Sequence, residues 1–468
     1  MDQTNKKKGL NISTKSFLTS ILVIFVFMVL TYILTFIIPS GEYMRITDTN
    51  GNTIIDTSST FTYVDGGISF GKWLLSPILV LGANGSGTTI AVIVFLLIIG
   101  GIFNSLDKCG LMKYMLDLIV YRYGKYRFRL MAMLILFFMS LGALIGSFEE
   151  CVPLVPIVTA LSISLGWDAL TGMGMSILAA GCGFSSGVCN PFTVGVAQEL
   201  AGLPMFSGLW LRAVSFVLIY ILLFLFIRHH AKKIEQPLTN TVTNSTFQSQ
   251  PSMSRALVCF ATILGIGILL VFSSSFLTFL QDYTMIIVAV MFLIAGIASV
   301  LLTGTSKKTL GSTFINGVGS IFPAVLMILM ASSIKYTLEE AKILDTILHS
   351  AVGVTSHLPK WAVILFIYLL VLVMNFFIAS GSAKAFLLIP LIVPIGQIFG
   401  ISSQLCIMAF AFGDGFSNVF YPTNPVLLIS TGLADVSYGK WVKWSWKFQI
   451  LNLALTSLLL LFGLAIGY

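Results

Sequence analysis

The stretches Phe17–Pro39, Ala91–Leu106, Leu209–Ile227, Ala256–Leu277, Met285–Leu302 and Trp444–Ile466 are almost wholly apolar. About 20 such residues in a helix match the hydrocarbon thickness of a bilayer. Lipid offers no partner to a backbone N–H or C=O, so a segment there must satisfy its own hydrogen bonds, and a helix does so residue by residue. A chain with this many such runs reads as an all-α polytopic membrane protein. Composition agrees: 57% of residues are hydrophobic and 9% charged, with mean hydropathy +0.98, against roughly 25% charged in soluble domains. No polar stretch is long enough for a soluble domain. Phe17–Pro39 lacks a small-residue cleavage site and is too long for a signal-peptide core, so it reads as a retained helix.

The net charge of +8 fits the cytoplasmic excess of Lys and Arg in membrane proteins, not a nucleic-acid partner. Lys6, Lys7 and Lys8 place the N-terminus inside. Gly41–Gly66, with Glu42, Asp48, Asp56 and Asp65 against Arg45, is expected outside as a loop. Ile68–Leu81 is short and amphipathic and is expected at the interface or re-entrant. The most basic segment, from Lys108 to Arg129, is expected as a flat cytoplasmic amphipathic helix. Leu130–Leu165 then reads as a re-entrant hairpin, Trp167–Leu200 as an outward run and Leu209–Ile227 as its return. In the second half Ile321–Ile334 crosses outward, and Lys335–His357 suits an outer-surface amphipathic helix. Trp361–Phe399 is a second hairpin, Ser402–Thr431 comes in, and Trp444–Ile466 leaves the C-terminus outside. Glu199 and Arg212 fall near the outer ends and read as loop residues.

Asn424-Pro425 lies 234 residues after Asn190-Pro191, half of the chain's 468. Pro390 follows Pro156, and Gly400 follows Gly166, by the same 234. Gly183-Phe184-Ser185 recurs as Gly415-Phe416-Ser417. That last pair is 232 apart, a two-residue slip, and ordered matches at a near-constant offset indicate duplication: a first repeat over residues 1–228, a cytoplasmic linker over 229–255, and a second repeat over 256–468. The charge map puts equivalent segments on opposite sides, and inverted repeats with interrupted helices mark secondary transporters.

Each repeat breaks its helices twice. The hairpin tips are Gly146-Ser147-Phe148-Glu149-Glu150 and Ser380-Gly381-Ser382-Ala383-Lys384. The interrupted stretches are GCGFSSGVCNP, from Gly181 to Pro191, and GDGFSNVFYPTNP, from Gly413 to Pro425. Irregular backbone at membrane depth survives only where protein or an aqueous cavity satisfies it. Gly eases unusual backbone angles and Pro removes a donor. Half-helix N-termini attract carboxylates. The candidate substrate-binding residues are therefore Ser147, Glu149 and Glu150 at the first tip, and Ser185, Asn190 and Pro191 at the first break. Ser380, Ser382 and Lys384 follow at the second tip, with Asp414, Ser417, Asn424 and Pro425 at the second break. Three acids against one base favour a cationic substrate group, with the α-carboxylate on hairpin amides: lysine, arginine or ornithine. An internal acid–Lys pair is the competing reading of the same charges, and a carrier of C4-dicarboxylates or another anionic metabolite, coupled to sodium or protons, the competing function.

The segments GSFEECVPLVPI, GCGFSSGVCNPFTVGVAQELAGLP, SGSAKAFLLIPLIVPI and TNPVLLISTGLADVSYGKW resemble the YfcC-like basic amino-acid antiporters, grouped with the anaerobic C4-dicarboxylate carriers in the ion-transporter superfamily. The resemblance implies a scaffold domain, a mobile transport domain holding both hairpins, an elevator mechanism, a homodimer, and a bacterial cytoplasmic membrane. The flat helices before each hairpin resemble that fold's connecting arms. Some superfamily members carry Ser-Asn-Thr at the tips, where sodium binds. This chain has Gly-Ser-Phe-Glu and Ser-Gly-Ser-Ala, which leaves exchange or proton coupling open. No cofactor or metal is expected, because the six cysteines (109, 151, 182, 189, 259, 406) lack metal-type spacing and read as packing residues. An enzyme is disfavoured: there is no HExxH, and histidines 229, 230, 349 and 357 fall in loops or surface helices. Interrupted inverted helices also argue against a channel's continuous pore.

Overall fold

The computed structural model describes residues 14–47, 53–55, 61–83, 86–204, 207–236, 250–274, 284–354 and 358–468. Lys6, Lys7, Lys8, Asp48, Asp56, His357, the end of the run at Leu277 and most of the linker lie outside them. The first half begins with α1 (Thr14–Ile37). Then come two short antiparallel pairs, β1 (Gly41–Glu42) with β4 (Thr62–Tyr63) and β2 (Arg45–Thr47) with β3 (Thr53–Ile55). The all-α expectation is corrected here: β-branched Ile and Thr suit the pleated strand. The expected single segment at Ile68–Leu81 is two helices, α2 (Phe70–Leu74) and α3 (Ser76–Leu79), because Pro77 opens a new helix instead of continuing one.

α4 (Ser86–Lys108) precedes α5 (Leu111–Tyr123), which runs through a single 3-10 turn into α6 (Arg127–Ser140). α7 (Val155–Ser164) completes the predicted first hairpin. Its arms pack mainly elsewhere: α6 lies on α9 (Ala179–Ser186) and α7 on α8 (Ala169–Met173). α10 (Val196–Leu200) and α11 (Leu209–Ile234) end this half. The second half has α12 (Pro251–Ser274), α13 (Thr284–Leu302), α14 (Lys307–Glu340) and α15 (Leu344–Val354). It continues with α16 (Lys360–Phe377), α17 (Gly381–Ile398), α18 (Ser403–Asn418), α19 (Pro425–Leu433) and α20 (Tyr438–Ile466). α14 is longer than the expected Ile321–Ile334 and takes in Lys335, Glu339 and Glu340, so the predicted surface helix shrinks to α15. Among the described residues seven helices are long and apolar enough to cross a membrane, or eight if the 41° bend in α14 joins one span.

The halves repeat their helix ends. Gly166 and Gly400, the matched glycines, have φ of 85° and 66°, a left-handed backbone that Gly adopts without a Cβ clash. The Trp167 amide reaches the Ser162 carbonyl at 3.0 Å, and the Ile401 amide reaches that of Gly396 at 2.8 Å. These are the same helix-ending bonds. The next position also matches: Asp168 caps α8 through the Thr171 amide and Ser402 caps α18 through the Leu405 amide. The last helix of each half returns to that cap, His230 of α11 onto Asp168 at 3.1 Å and the carbonyl of Tyr468, just beyond α20, onto the Ser402 hydroxyl.

Buried side chains form two cores. The larger holds both predicted hairpins, α8–α11, α18–α20 and the C-terminal half of α14. The smaller is built from α4, α5, α12 and α13 around Phe103, Phe260 and Phe292. α4 and α14 run along each other and contribute to both. They approach closely because a Cβ on Gly317 would sit 2.8 Å from the Gly100 carbonyl carbon, the small-residue contact typical of membrane helices.

Candidate functional site

At the first tip, α6 widens into a π turn, Leu141–Ile145, and ends at Gly146, whose φ is 78°. Ser147 is buried, and Glu149 and Glu150 are half-buried at the start of a 3-10 turn, Glu149–Leu154. The N–H groups opening such a turn favour a carboxylate. Ser147 and Glu150 face a cavity of about 60 Å³ shared with Leu264 and Gly267 of α12 and Phe292 of α13. Glu149 makes no ion pair among the described residues. Asp414 is its charged neighbour.

The second tip is Ile378–Ser380 between α16 and α17. Ser380 is exposed and caps α17 through the Ala383 amide, while Ser382 is half-buried. Lys384 turns inward. Its Nζ lies 2.6 Å from Asp414 Oδ1, and both side chains have 0% exposure. The same ammonium donates to the Ile378 carbonyl at 3.0 Å and to Asn375 Oδ1. The Asn375 amide nitrogen in turn reaches the Asp414 carbonyl, Ser417 Oγ and Asn418 Oδ1 at 2.9, 2.6 and 3.0 Å. Lys384 and Asp414 thus neutralise each other inside a polar knot. Asn375 and Asn418 were not singled out from sequence. The available signal for Asn375 was one amide in the apolar run ahead of Lys384.

The two Asn-Pro pairs do different work. Asn424 starts α19, its Oδ1 accepting from the Val426 and Leu427 amides at 2.9 and 3.4 Å, with Pro425 following in the first helical turn. Its Nδ2 donates to Asn418 at 2.9 Å. Asn190 is fully buried, and its carbonyl accepts from Gly195 at 3.0 Å across a π turn that begins at Pro191. Before it, the Cys189 amide donates to the Ala143 carbonyl at 2.9 Å, tying the first break to the first tip. Ser185 and Ser417 turn their hydroxyls onto the carbonyls of Gly181 and Gly413, at 3.0 and 2.9 Å. Each thereby satisfies its own helix.

The breaks also meet across the halves. A Cβ on Gly381 would lie 2.6 Å from Thr193 Cγ2 and 2.8 Å from Asp414 Oδ2. The turn at Pro191–Gly195 and α10 pack on α17, and α19 packs on the Glu149–Leu154 turn and α7. α9 and α18 cross where Gly415 leaves no room for a Cβ against Ser185, whose Cα it would approach to 2.6 Å. Each half's break therefore lies against the segment predicted as the other half's hairpin.

Two further features were not anticipated. A cavity of about 530 Å³ opens beside the second tip, between Ile378, Ala383 and Phe386 and the segments carrying Glu42, Arg45, Lys335, Glu339, Lys342 and Asp345. Its charges are paired, Arg45–Asp345 at 3.0 Å, Lys335–Glu339 at 3.2 Å and Lys342–Glu42 at 3.1 Å. Residues near 42 and 342 meet only through the fold. The second is Arg212, expected as a loop residue. It stands in α11 with 0% exposure and donates to the Ser207 and Val188 carbonyls at 2.9 and 3.5 Å. An arginine inside the apolar run LWLRAVSF was the missed signal. Glu199, by contrast, is exposed at the end of α10. Among the described residues, no cluster of three metal-ligating side chains occurs.

Comparison with known proteins matches the sequence over nearly its whole length. The chain is 31% identical over 381 residues to the Escherichia coli (strain K12) protein named "Putative basic amino acid antiporter YfcC", covering 76% of this chain and 74% of that one. A Haemophilus influenzae protein with no assigned function is 22% identical over 498 residues, 95% of each chain. The solved structure of the Alcanivorax borkumensis YdaH transporter covers 96% of this chain and 99% of its own, at 18% identity and a TM-score of 0.47. Residues 17–465 match DcuC, the C4-dicarboxylate anaerobic carrier family. A multi-pass membrane transporter and not an enzyme, the chain belongs to the DcuC family of C4-dicarboxylate anaerobic carriers.

Proposed function

We propose that the protein is an antiporter that exchanges basic amino acids, of the arginine–ornithine type, by an elevator mechanism. Glu149 carries this reading: a half-buried carboxylate at a hairpin tip, with no ion pair among the described residues, while Lys384 is held by Asp414. A substrate ammonium or guanidinium supplies the missing partner. The E. coli relative is named as a basic amino-acid antiporter. The matched caps at Gly166 and Gly400, Asp168 and Ser402 support two repeats, which we read as inverted, with re-entrant hairpins at 130–165 and 361–399 and broken helices at 167–200 and 402–431. The smaller core around Phe103, Phe260 and Phe292 suits a fixed scaffold, and the predicted hairpins with α8–α10, α18 and α19 a moving transport domain. A homodimer in a bacterial cytoplasmic membrane, N-terminus inside and C-terminus outside, completes the reading.

Labelled arginine uptake into proteoliposomes tests it. Ornithine inside should accelerate uptake, and Glu149→Gln should weaken it. Uptake indifferent to internal ornithine removes exchange, and an unchanged Glu149→Gln removes the assigned cation site. A C4-dicarboxylate carrier is the second reading, favoured by the family's name and by the buried cation Arg212. Stabilisation by succinate with arginine inert would select it.

A further inference from the structure

We propose that Arg212 binds a carboxylate of the transported substrate beside the first helix break, an inference that rests on the chain carrying a carboxylate-bearing solute. A guanidinium has five N–H donors and never loses its charge. Arg212 has 0% exposure, and its Nη2 reaches the Ser207 and Val188 carbonyls. Its Nε and Nη1 are buried without a hydrogen-bond acceptor. Among the described residues no carboxylate lies within ion-pair distance of it. Its polar neighbours are the Tyr468 hydroxyl, to which it also hydrogen-bonds, and the Cys189 thiol, neither an anion at neutral pH. A buried cation without a counter-ion is strongly destabilising, and a bound carboxylate accepting from the unpartnered Nη1 offsets that penalty.

The position suits the role. Val188 belongs to the first break, and the next amide, Cys189, is bonded to Ala143 in the turn that enters the first tip. Past Asn190, the chain reaches Thr193, which abuts Gly381 at the second tip. Arg212 therefore sits one carbonyl away from the segment where both hairpins converge. Glu149 and Arg212 then offer opposite charges to the two ends of an amino acid.

The experiment compares arginine with agmatine, which is arginine without its carboxylate, by thermal shift and by binding to the purified full chain. Succinate is included as an arm. Wild-type protein should bind arginine and not agmatine. Arg212→Gln keeps donors for the two carbonyls but loses the charge, so arginine affinity should fall roughly 10- to 100-fold and the preference over agmatine should vanish. Wild-type protein that binds agmatine as tightly as arginine overturns the proposal. So does a folded Arg212→Gln that keeps both affinity and preference, since Arg212 would then only support the backbone. If Arg212→Gln does not fold, Arg212→Lys decides: its retained charge should keep some preference for arginine, and equal binding of agmatine refutes. Should wild-type protein bind succinate and ignore arginine, the basic amino-acid reading falls. Loss of succinate binding in Arg212→Gln would still uphold the carboxylate site.

Discussion

Removing one member of the Lys384–Asp414 pair should destabilise the protein in a way that depends on pH, with opposite sign for the two members. The groups are 2.6 Å apart with 0% exposure, so either survivor is a bare charge in a dry site. Breaking such a pair from one side costs about 3–5 kcal/mol. Proton transfer limits the loss. After Lys384→Met, the remaining carboxylate can be neutralised from pH 7 solvent for about 3 units of 1.36 kcal/mol each, about 4 kcal/mol, counted from its ordinary value near 4. At pH 5 the same step needs only about 1.5 kcal/mol, so Lys384→Met should recover stability in acid. After Asp414→Leu, the ammonium must lose a proton, which costs about 4.6 kcal/mol at pH 7 and about 2 at pH 9, so this variant should recover in base. The double variant Lys384→Met/Asp414→Leu leaves no bare charge and should be more stable at pH 7 than either single one. Thermal unfolding of the purified proteins in detergent at pH 5, 7 and 9 reads this directly. Single variants as stable as wild type, or a double variant as unstable as the two singles summed, would show that the site is wet and the pairing argument wrong.

Gly183→Ala should destabilise by about 1–3 kcal/mol, because its Cβ would lie 2.6 Å from the Met139 carbonyl carbon, backbone that cannot step aside; a melt within a degree of wild type would contradict the close packing of α6 on α9. Asp168 lies at the cap of α8, where burial opposes its charge but the His230 bond and the Thr171 amide and hydroxyl outweigh that, so it titrates below the usual carboxylate range. A lowered value means stability that is present above the ordinary carboxylate pKa and lost as pH falls through the lowered one. Asp168→Asn keeps a capping oxygen but loses the charge facing His230, so it should cost about 0.2–1 kcal/mol at pH 7 and flatten the loss between pH 5 and 3, as a melting series would show.

What the amino-acid sequence determined by itself was everything that depends on composition and local spacing. Long apolar runs leave a bilayer-spanning helix as the one structure that satisfies its backbone, so the membrane class was legible, as were the breaks at 187–190 and 419–424. The matched glycines Gly166 and Gly400 were legible too, because each acts within one turn of its own helix. The short strands after α1 escaped a reading built on hydropathy, since two or three paired residues have no periodicity of their own. Charge was the other gap. Counting acids and bases by position left Asp414 as an available carboxylate and Arg212 as a loop residue, because a side chain's direction and counter-ion are set by helices far away in sequence. Only the tertiary structure turned Lys384 onto Asp414, drew Asn375 and Asn418 around them, laid each break against the other half's predicted hairpin, and buried Arg212 beside Val188. Electrostatic energy depends on distance and burial, and in a packed helix bundle both belong to the fold and not to the chain.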